Sequence, residues 1–188
     1  DVCSSDLSRT ATPAGANITF GDTIDGGSAL TVDAGTGGNI LFSGVVGGTT
    51  AIGATTFTNA NNVTMTTFSA ASVTQAAGQG TTTFNGAIVT SGAAGVNFTG
   101  EALAINNTIN TSSGDGIVEI TNAGALTIAA AGDLTLGGTF TQNGAGAVST
   151  AGDITTTNDN ITFGAAVTLT GSVTLDSGSG RSEEHTSE

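Results

Sequence analysis

The chain has 188 residues, with 15 acidic side chains against two arginines, no lysine and a formal net charge of −13. This balance excludes binding to nucleic acid or to anionic lipid, because both need several Lys or Arg side chains near phosphates. No apolar run reaches the length of a transmembrane helix, so we expect no membrane insertion. Thirty glycines and few charges are also typical of disorder, but regularly placed Ile, Val, Leu and Phe argue for a packed core.

The two termini differ from the rest of the chain. Residues 1–7 can be encoded by GAC GTG TGC TCT TCC GAT CT plus one base, and the reverse complement of that string encodes residues 181–187. The string is a common sequencing-library adapter, so we expect the tails 1–7 and 181–188 to be non-native. Without their five acids and one arginine, the body, residues 8–180, has ten acids against Arg9 and a net charge of −9. We expect this body to be an internal fragment of a longer array.

Apolar–polar–apolar triplets recur along the body and predict short β-strands, because alternation by two places both apolar residues on one face. The first triplet, Ile18/Phe20, belongs to a pentapeptide, Asn-Ile-Thr-Phe-Gly, that returns at residues 160–164. In chain order the next triplets are Leu30/Val32, Ile40/Phe42, Val63/Met65, Val96/Phe98, Leu103/Ile105, Val118/Ile120, Leu126/Ile128, Leu134/Leu136 and Val167/Leu169. Because β-branched residues and glycine dominate and no 3.6-residue stripe is present, helices are not expected.

The spacing of these triplets predicts how the strands are arranged. Phe42 and Phe84 are separated by the same interval as Phe98 and Phe140, which fits two turns of about 21 residues each. In the clearest tracts the strands recur every six to eight residues, whereas antiparallel sandwiches space their strands more widely, at roughly 8–12 residues. We therefore predict an all-β fold, a parallel β-helix (β-solenoid) of about eight coils of ~21 residues, in which each coil buries its triplets against the next. The pattern is weakest in residues 70–95, where alanine replaces larger side chains.

Glycine and asparagine mark the expected corners of the coils. Gly21, Gly44, Gly86, Gly137 and Gly164 each follow a strand, and we expect positive φ there. The segments Gly78-Gln79-Gly80 and Asn143-Gly144 are interpreted as turns. Six Asn-x-Ser/Thr triplets begin at Asn17, Asn62, Asn97, Asn106, Asn110 and Asn160. Parallel stacking predicts that such asparagines form hydrogen-bonded ladders.

Candidate catalytic chemistry is confined to carboxylates, because the body contains no His, Lys or Cys that could activate a Ser or Thr nucleophile. Asp133, Asp153 and Asp159 could meet on one face as a general acid and base. Asp133 and Asp153 each follow a glycine, however, which is typical of turn residues that bond their own backbone. We therefore predict no enzymatic activity and no cofactor. A carbohydrate-active β-helix is the alternative, and it would show a cleft lined by clustered carboxylates.

Asp22, Asp25 and Asp159 are weak candidates for a metal site. Asp22 and Asp25 lie, with Asp33, in Gly-rich loops, and Asp159 lies between two asparagines. Carboxylate and amide oxygens are the ligands that Ca²⁺ prefers. Neither an EF-hand loop nor the Gly-Gly-x-Gly-x-Asp repeat is present, and turn formation explains the same residues. Calcium binding is therefore a second alternative hypothesis, which predicts that the Asp oxygens converge on one point.

The units Asn-Ile-Thr-Phe-Gly, Leu-Thr-Ile-Ala-Ala, Gly-Asp-Leu-Thr-Leu and Phe-Thr-Gln-Asn-Gly resemble the strand repeats of filamentous-haemagglutinin-type and autotransporter-passenger adhesins of bacteria. The resemblance covers most of residues 16–178. It implies a right-handed parallel β-helix, an extracellular or cell-surface location, and a structural or adhesive role with host-cell, surface or glycan partners. It supplies no catalytic residues. We therefore predict a stalk or adhesion surface, with end-to-end self-association of the isolated chain through unpaired strand edges.

Overall fold

The computed structural model describes residues 14–178, so the two predicted tails and Arg9 lie outside the described residues. Within residues 14–178 there are twenty short strands, and the one helical element is a 3₁₀ turn, Ser112–Gly114. Every strand pair there is parallel. No helix in this part of the chain is long and apolar enough to cross a membrane. The fold is a β-solenoid of about seven turns, so the predicted architecture is confirmed.

The solenoid has three faces, and the fourth to seventh coils each contribute one strand to every face. Face 1 is an eight-stranded sheet of β1 (Ile18–Phe20), β3 (Ile40–Phe42), β5 (Val63–Met65), β7 (Thr81–Phe84), β10 (Ala102–Ile105), β13 (Leu126–Ile128), β16 (Val148–Thr150) and β19 (Val167–Leu169). Face 2 contains β8 (Ile88–Thr90), β11 (Ile109–Asn110), β14 (Leu134–Leu136), β17 (Ile154–Thr156) and β20 (Leu175–Asp176). Face 3 contains β2 (Leu30–Asp33), β4 (Ile52–Asn59), β6 (Phe68–Gln75), β9 (Val96–Gly100), β12 (Val118–Asn122), β15 (Phe140–Gln142) and β18 (Ile161–Phe163). Seven coils reach all three faces, and β19 and β20 begin an eighth.

The register between coils agrees with the repeat length predicted from the sequence. On face 1, a short step carries the chain from Val63 to Thr82, and a long step carries it from Leu103 to Leu126. The predicted repeat lies between these two steps. The segment 70–95, in which the sequence pattern is weakest, contains most of β6 and all of β7 and β8. Its small residues still alternate between buried and exposed positions, so the coil is continuous through it.

β6 is the strand at which faces 2 and 3 separate. Its residues 68–70 pair with β8, and its residues 73–75 pair with β9. On the other side β6 pairs with the single strand β4 along most of its length. In the two coils before it, face 2 is reduced to the bridges between Ile24, Val46 and Phe68. In the next coil, a corner between β8 and β9 that ends at Gly95, with φ of +54°, separates the two faces.

The interior is built from inward residues stacked coil upon coil. Phe42 and Phe98 are buried, with 0% and 1% of their surface exposed. Phe20 and Phe163 belong to end coils and are half-buried, packing against the core. The rings of Phe20 and Phe42 stack with centroids 4.7 Å apart. The predicted inward orientation of all four phenylalanines is therefore confirmed.

The two phenylalanine pairs that have equal spacing in the sequence are arranged differently in the structure. Phe42 and Phe84 occupy the same inward position of face 1, two coils apart. Phe98 and Phe140 do not share a position, because Phe98 is aligned through β12 with Gln142. On face 3, two full coils therefore carry the chain from Phe98 to Gln142, and the interval from Phe98 to Phe140 is slightly shorter than two coils.

The prediction of positive φ at the five post-strand glycines is wrong. Among the described residues, positive φ occurs at Gly15, Gly26, Gly35, Gly47, Gly95 and Gly178, and at Asp115 and Asn158. Close approach of neighbouring coils explains Gly44 and Gly86 instead. A Cβ at Gly44 would lie 2.3 Å from the carbonyl carbon of Asp22, and one at Gly86 would lie 2.3 Å from the backbone nitrogen of Thr67. Glycine is needed there for space between coils rather than for its backbone freedom.

Candidate binding groove

On the side walls, outward-facing residues at equivalent positions of successive coils form rows along the solenoid axis. Most of these residues carry a hydroxyl or an amide group. On face 3 the outward rank is Thr31, Thr56, Thr74, Asn97, Glu119, Thr141 and Thr162. On face 1 it is Thr19, Leu41, Thr64, Thr83, Ala104, Thr127, Ser149 and Thr168. Residues 14–178 contain ten carboxylates and no Lys, Arg or His. This surface therefore offers neutral polar groups and negative charge.

The predicted asparagine ladders form at three of the six positions, Asn17, Asn62 and Asn106, whereas Asn97 and Asn110 bond to Glu119 and Ser112 instead. Asn39 donates from its backbone and its side chain to Asn17 Oδ1, at 2.9 and 3.0 Å. Asn62 donates in the same way to Asn39 Oδ1, at 3.1 and 2.8 Å. A second, shorter ladder joins Asn106 Nδ2 to Asn85 Oδ1 at 3.0 Å. These side chains pair equivalent positions of successive coils and so fix the register of the wall.

A groove of about 450 Å³ lies along the corner that follows face 3. It crosses four coils, at residues 77–79, 99–100, 121–123 and 143–145. Glycine and alanine form most of its floor, and its polar walls come from the side chains of Gln79, Thr99, Thr121 and Asn143. In the described part of the chain, the eleven lining residues include no charged and no aromatic side chain.

Close packing against backbone and core atoms requires glycine at two positions of the floor. A Cβ at Gly144 would lie 2.0 Å from the carbonyl oxygen of Asn122. A Cβ at Gly100 would lie 2.9 Å from the ring of Phe98 in the core. Contacts below 3.0 Å require the neighbouring atoms to move, so a larger residue would displace the backbone of the preceding coil at Gly144 and the ring of Phe98 at Gly100. The groove is therefore a consequence of how tightly the corner is packed.

Gln75 lies directly beneath this floor, with 3% of its surface exposed. Its Oε1 accepts a hydrogen bond of 2.6 Å from the hydroxyl of Thr82. Its Nε2 is next to two floor glycines, because a Cβ at Gly78 would lie 2.2 Å from it and a Cβ at Gly100 would lie 3.0 Å from it. None of the hydrogen bonds within residues 14–178 uses Gln75 Nε2 as a donor. This nitrogen is nevertheless not among the buried side-chain atoms left without a partner, and Gln75 is not a lining residue of the groove, so its side chain belongs to the interior rather than to the groove.

The groove walls add an acceptor and two hydroxyls. Asn143 Nδ2 donates to Glu119 Oε1 at 3.2 Å, and Asn97 Nδ2 donates to Glu119 Oε2 at 3.4 Å. Since Asn143 uses its amide nitrogen in this way, its Oδ1 is left to accept. Thr99 and Thr121 are adjacent in register, and both side chains are exposed. The groove thus combines donors and acceptors without placing a charge in its lining.

Buried amides hold the end of the groove that lies towards the last coils. Gln142 Nε2 donates to Asn122 Oδ1 and to the carbonyl of Gly144, both at 2.7 Å. Asn122 Nδ2 donates to the carbonyl of Gly124 at 2.6 Å. Gln142 Oε1 accepts from the backbone N–H of Gly164 at 3.1 Å. Because both amides are buried and hydrogen-bonded to the backbone, they hold this corner in a single conformation.

The predicted metal ligands Asp22 and Asp25 instead serve backbone groups. Asp22 Oδ1 accepts from the adjacent N–H of Thr23 at 2.7 Å. Asp25 Oδ1 accepts from the N–H groups of Thr49 and Thr50 in the next coil, at 2.7 and 3.1 Å. The hydrogen bond from Thr49, followed by that from Thr50, lowers the pKa of Asp25 from its ordinary value of 3.8. These two carboxylates therefore cap neighbouring backbone segments.

The remaining candidate carboxylates lie at other corners of the solenoid. Asp159 is in the seventh coil, where it lines a second groove of about 430 Å³ together with Asp115. Asp133 Oδ1 accepts from Asp153 N at 2.9 Å, and Asp153 Oδ1 accepts from Thr174 N at 2.6 Å. These two residues bond the backbone of the next coil, not their own as predicted. Within residues 14–178 no three His, Cys, Asp or Glu side chains are grouped to hold a metal ion.

Comparison with known proteins yields no relative: no family model, curated protein or solved structure matches the chain. The resemblance to bacterial adhesins therefore rests on the repeat pattern. A β-solenoid hosts many functions, so function must be inferred from the surface described above.

The sequence pattern assigned the groove residues to turns and missed the groove. The available signal was a repeated interval, because Gly78 and Gly100, Thr99 and Thr121, and Thr121 and Asn143 are all separated by the same number of residues. The interval shows that these residues are neighbours in the structure only when the lengths of the coils between them are known.

Proposed function

We propose that the chain is a structural and adhesive segment of an exported bacterial surface protein, acting as a stalk or an adhesion surface. The observation that supports this proposal is the uninterrupted stack: face 1 continues through eight parallel strands. In such a solenoid each coil contacts its neighbours, so added coils extend the side walls without altering the fold. Length and a repetitive polar wall are the properties that a stalk or an adhesion surface needs.

The enzymatic and calcium-binding alternatives have weaker support. Hydrolysis of a glycosidic bond uses a pair of carboxyl groups; the groove beside face 3 is lined by hydroxyls and amides, so the second groove, with Asp115 and Asp159, is where a carbohydrate-active site would have to lie. For calcium, Asp22 and Asp25 lie in the first coil and Asp159 in the seventh, and the first two already accept backbone hydrogen bonds. The pair Asp115 and Asp159 offers two carboxylates, fewer than the ligand set of a typical calcium site.

Surface location is the part of the proposal that can be tested first. Antibodies raised against the purified chain should label intact cells of the source bacterium, and mild protease treatment of those cells should remove the label. An antibody against a cytosolic protein serves as the control for cell integrity. Labelling that requires permeabilised cells would contradict the proposal.

We also propose that isolated chains associate end to end. Among the described residues, β18, β19 and β20 each pair on one side, and β1 is the edge strand at the opposite end of face 1. Leu169 and Leu175 in the last coil are 62% and 51% exposed. Unpaired edges with apolar side chains are templates for strand addition. A second copy would continue the stack and bury these leucines.

Sedimentation velocity over a range of concentrations tests this association. The wild-type chain should form larger species as its concentration rises, and L169D/L175D should shift the equilibrium towards the monomer. L41D/V89D is the matched control, because Leu41 and Val89 are each 38% exposed on the side walls. A monomer that does not respond to concentration, or equal effects of the two double variants, would refute end-to-end stacking.

A further inference from the structure

We propose that the chains stack head to tail: the first coil of one copy docks on the last coil of another, in the register that joins successive coils within one chain. This arrangement rests on the end-to-end association proposed above and specifies its contact surface and its partner, a second copy of this chain. Two features of the described ends support it. The backbone groups that point away from the stack are complementary at the two ends, and the apolar side chains there match face by face.

The backbone hydrogen bonds between coils have the same direction on all three faces. An inward residue at the start of a strand donates its N–H to the next coil, to the carbonyl just before the aligned inward residue. Examples from faces 1, 2 and 3 are the bonds from Ile18 to Asn39 (2.8 Å), from Ile154 to Thr174 (3.0 Å) and from Phe140 to Asn160 (3.0 Å). The N–H and C=O of one strand residue point to the same edge, and those of its neighbours point to the opposite edge. Inward residues therefore bond the following coil, and outward residues bond the preceding coil.

The two ends of the described chain therefore present different backbone groups. In the last coil, the N–H of Thr170 donates to the carbonyl of Thr150 in the preceding coil at 2.8 Å, so the N–H and C=O of Leu169 point away from the stack. In the first coil, Ile18 bonds the second coil, so the N–H and C=O of Thr19 point away from it. The last end thus offers an inward residue and the first end an outward residue, which is the pair that the internal junctions join.

The apolar side chains at the two ends occupy the same faces. In the first coil the partly buried inward residues are Ile18 and Phe20 on face 1, Ile24 on face 2 and Leu30 on face 3. At the other end the incompletely buried inward residues are Val167 and Leu169 on face 1, Leu175 on face 2, and Ile161 and Phe163 on face 3. When like faces are superposed, Phe20 of the second copy lies on Leu169, in the way that Phe42 lies on Phe20 within one chain. Each face therefore buries apolar side chains from both copies.

A symmetric contact between two last coils fits less well. A twofold axis would bring antiparallel strands together, whereas β18, β19 and β20 each pair with a parallel strand of the preceding coil. With face 1 against face 1, the twofold axis would also place face 2 of each copy against face 3 of the other. Head-to-tail stacking keeps every face continuous. Such a heterologous contact leaves a free end of each kind, so the stack does not close and chains add without limit.

Sedimentation velocity with two blocked variants tests the polarity of the stack. L169D/L175D places charges on the last coil. T19P removes the N–H that points away from the first coil, while the bond of Ile18 to the second coil remains, and an edge strand tolerates proline at such a position. Each variant alone should sediment as a monomer. A mixture of the two should form a one-to-one dimer and nothing larger, because each variant supplies the end that the other lacks.

T19V is the matched control for T19P, because it keeps the N–H of residue 19, and it should associate as the wild type does. Dimers of T19P alone would show that two last coils meet. A mixture of T19P and L169D/L175D that stays monomeric would show that first and last coils do not meet. Either result overturns head-to-tail stacking.

Amide hydrogen exchange of the wild-type chain tests the register without a substitution. In the proposed register the N–H of Leu169 donates to the carbonyl of Thr19 in the second copy, and the N–H of Thr19 donates to the carbonyl of Val167. Protection of the Thr19 and Leu169 amides should therefore rise together with the chain concentration. Protection of Leu169 alone would overturn head-to-tail stacking and leave end-to-end association standing. Protection of neither amide would refute both, and cell-surface labelling is independent of these outcomes, so failure here and failure of the proposed function remain distinguishable.

Discussion

Coils 1–3 and coils 5–7 fill the same cross-section with different side chains. In the first region the rings of Phe20, Phe42, Phe57 and Phe68 form a cluster whose neighbouring centroids are 4.7–6.4 Å apart. The second region buries five polar side chains, Thr111, Asn122, Gln142, Thr150 and Thr156, and the first region buries three, Thr55, Ser72 and Gln75. The two regions also differ in where their amide side chains pair. Asn17, Asn39 and Asn62 pair at the outer edge of the first region, whereas Asn122 and Gln142 pair inside the second.

This difference shows two ways in which side chains determine the conformation of a coil. Apolar contact is non-directional, so the aromatic cluster supplies burial without dictating the path of each corner. The buried hydroxyls are directional: Thr150 Oγ1 donates to the carbonyl of Gly152 at 3.0 Å, and Thr156 Oγ1 donates to that of Asp159 at 2.6 Å. Each of these bonds spans a corner within one coil. The first region is therefore stabilised mainly by burial, and the second also by hydrogen bonds that fix its corners.

The largest predicted effect is that of F42A in the aromatic cluster. Phe42 is fully buried and contacts three other rings, so the variant loses buried apolar area and leaves a cavity. We expect the free energy of unfolding to fall by about 3–5 kcal/mol, measured by urea denaturation. F140A is the matched control, because Phe140 is equally buried but packs against one ring, Phe163. If F140A proves the more damaging variant, the contrast between the two regions fails.

The buried amide pair provides the complementary test in the second region. Q142L removes the partner of Asn122 Oδ1 and of the Gly144 carbonyl while nearly preserving volume. We expect a loss of about 2–3 kcal/mol, because buried polar groups are left without partners. The double variant Q142L/N122L should cost less than the sum of the single variants. Strict additivity in denaturation experiments would show that the two amides act separately.

The pentapeptide that occurs twice shows how far sequence determines this fold. Residues 17–21 contain β1 on face 1, and the identical residues 160–164 contain β18 on face 3. In both places the Ile and Phe point inward and the Thr points outward. The local pattern therefore predicts a strand and its buried side. It cannot predict the face on which the strand lies, because the face depends on the number of residues in the preceding corners.

The groove was unpredictable for the same reason. Thr99 and Thr121 become neighbours only because of the length of the coil between them, and coil length is not constant along face 1. In the sequence, Gln75 is simply the last residue of β6, a strand rich in Ala and Ser. Its position beneath Gly78 and Gly100 depends on packing across two coils, which no pattern in adjacent residues records. The asparagine ladders were predictable in part: they need parallel stacking, but they also need an asparagine at the same position of the next coil, and Asn97 is aligned with Glu119 instead.

The outer ladder of the first region should contribute less than the buried pair. N39A removes an Oδ1 that accepts from both the backbone and the side chain of Asn62, but water can replace part of what is lost. We expect a cost of about 1 kcal/mol in the free energy of unfolding. N106A, whose side chain donates one hydrogen bond to Asn85, should cost less. A cost for N39A equal to that of Q142L would remove the distinction between outer and buried amides.

The smallest predicted effect concerns pH and again distinguishes the two regions. Hydrogen bonds from Thr49 and Thr50 lower the pKa of Asp25 below 3.8, so folding favours its charged form. Its contribution is therefore complete above pH 3.8 and is lost as the pH falls through the lower, folded-state pKa. At neutral pH, D25N should melt at a lower temperature than the wild type, and this difference should shrink in acid. D115N is the control in the second region, because the Asp115 carboxylate accepts no hydrogen bond within residues 14–178; an equal pH response of both variants would show that the two backbone donors do not bias Asp25.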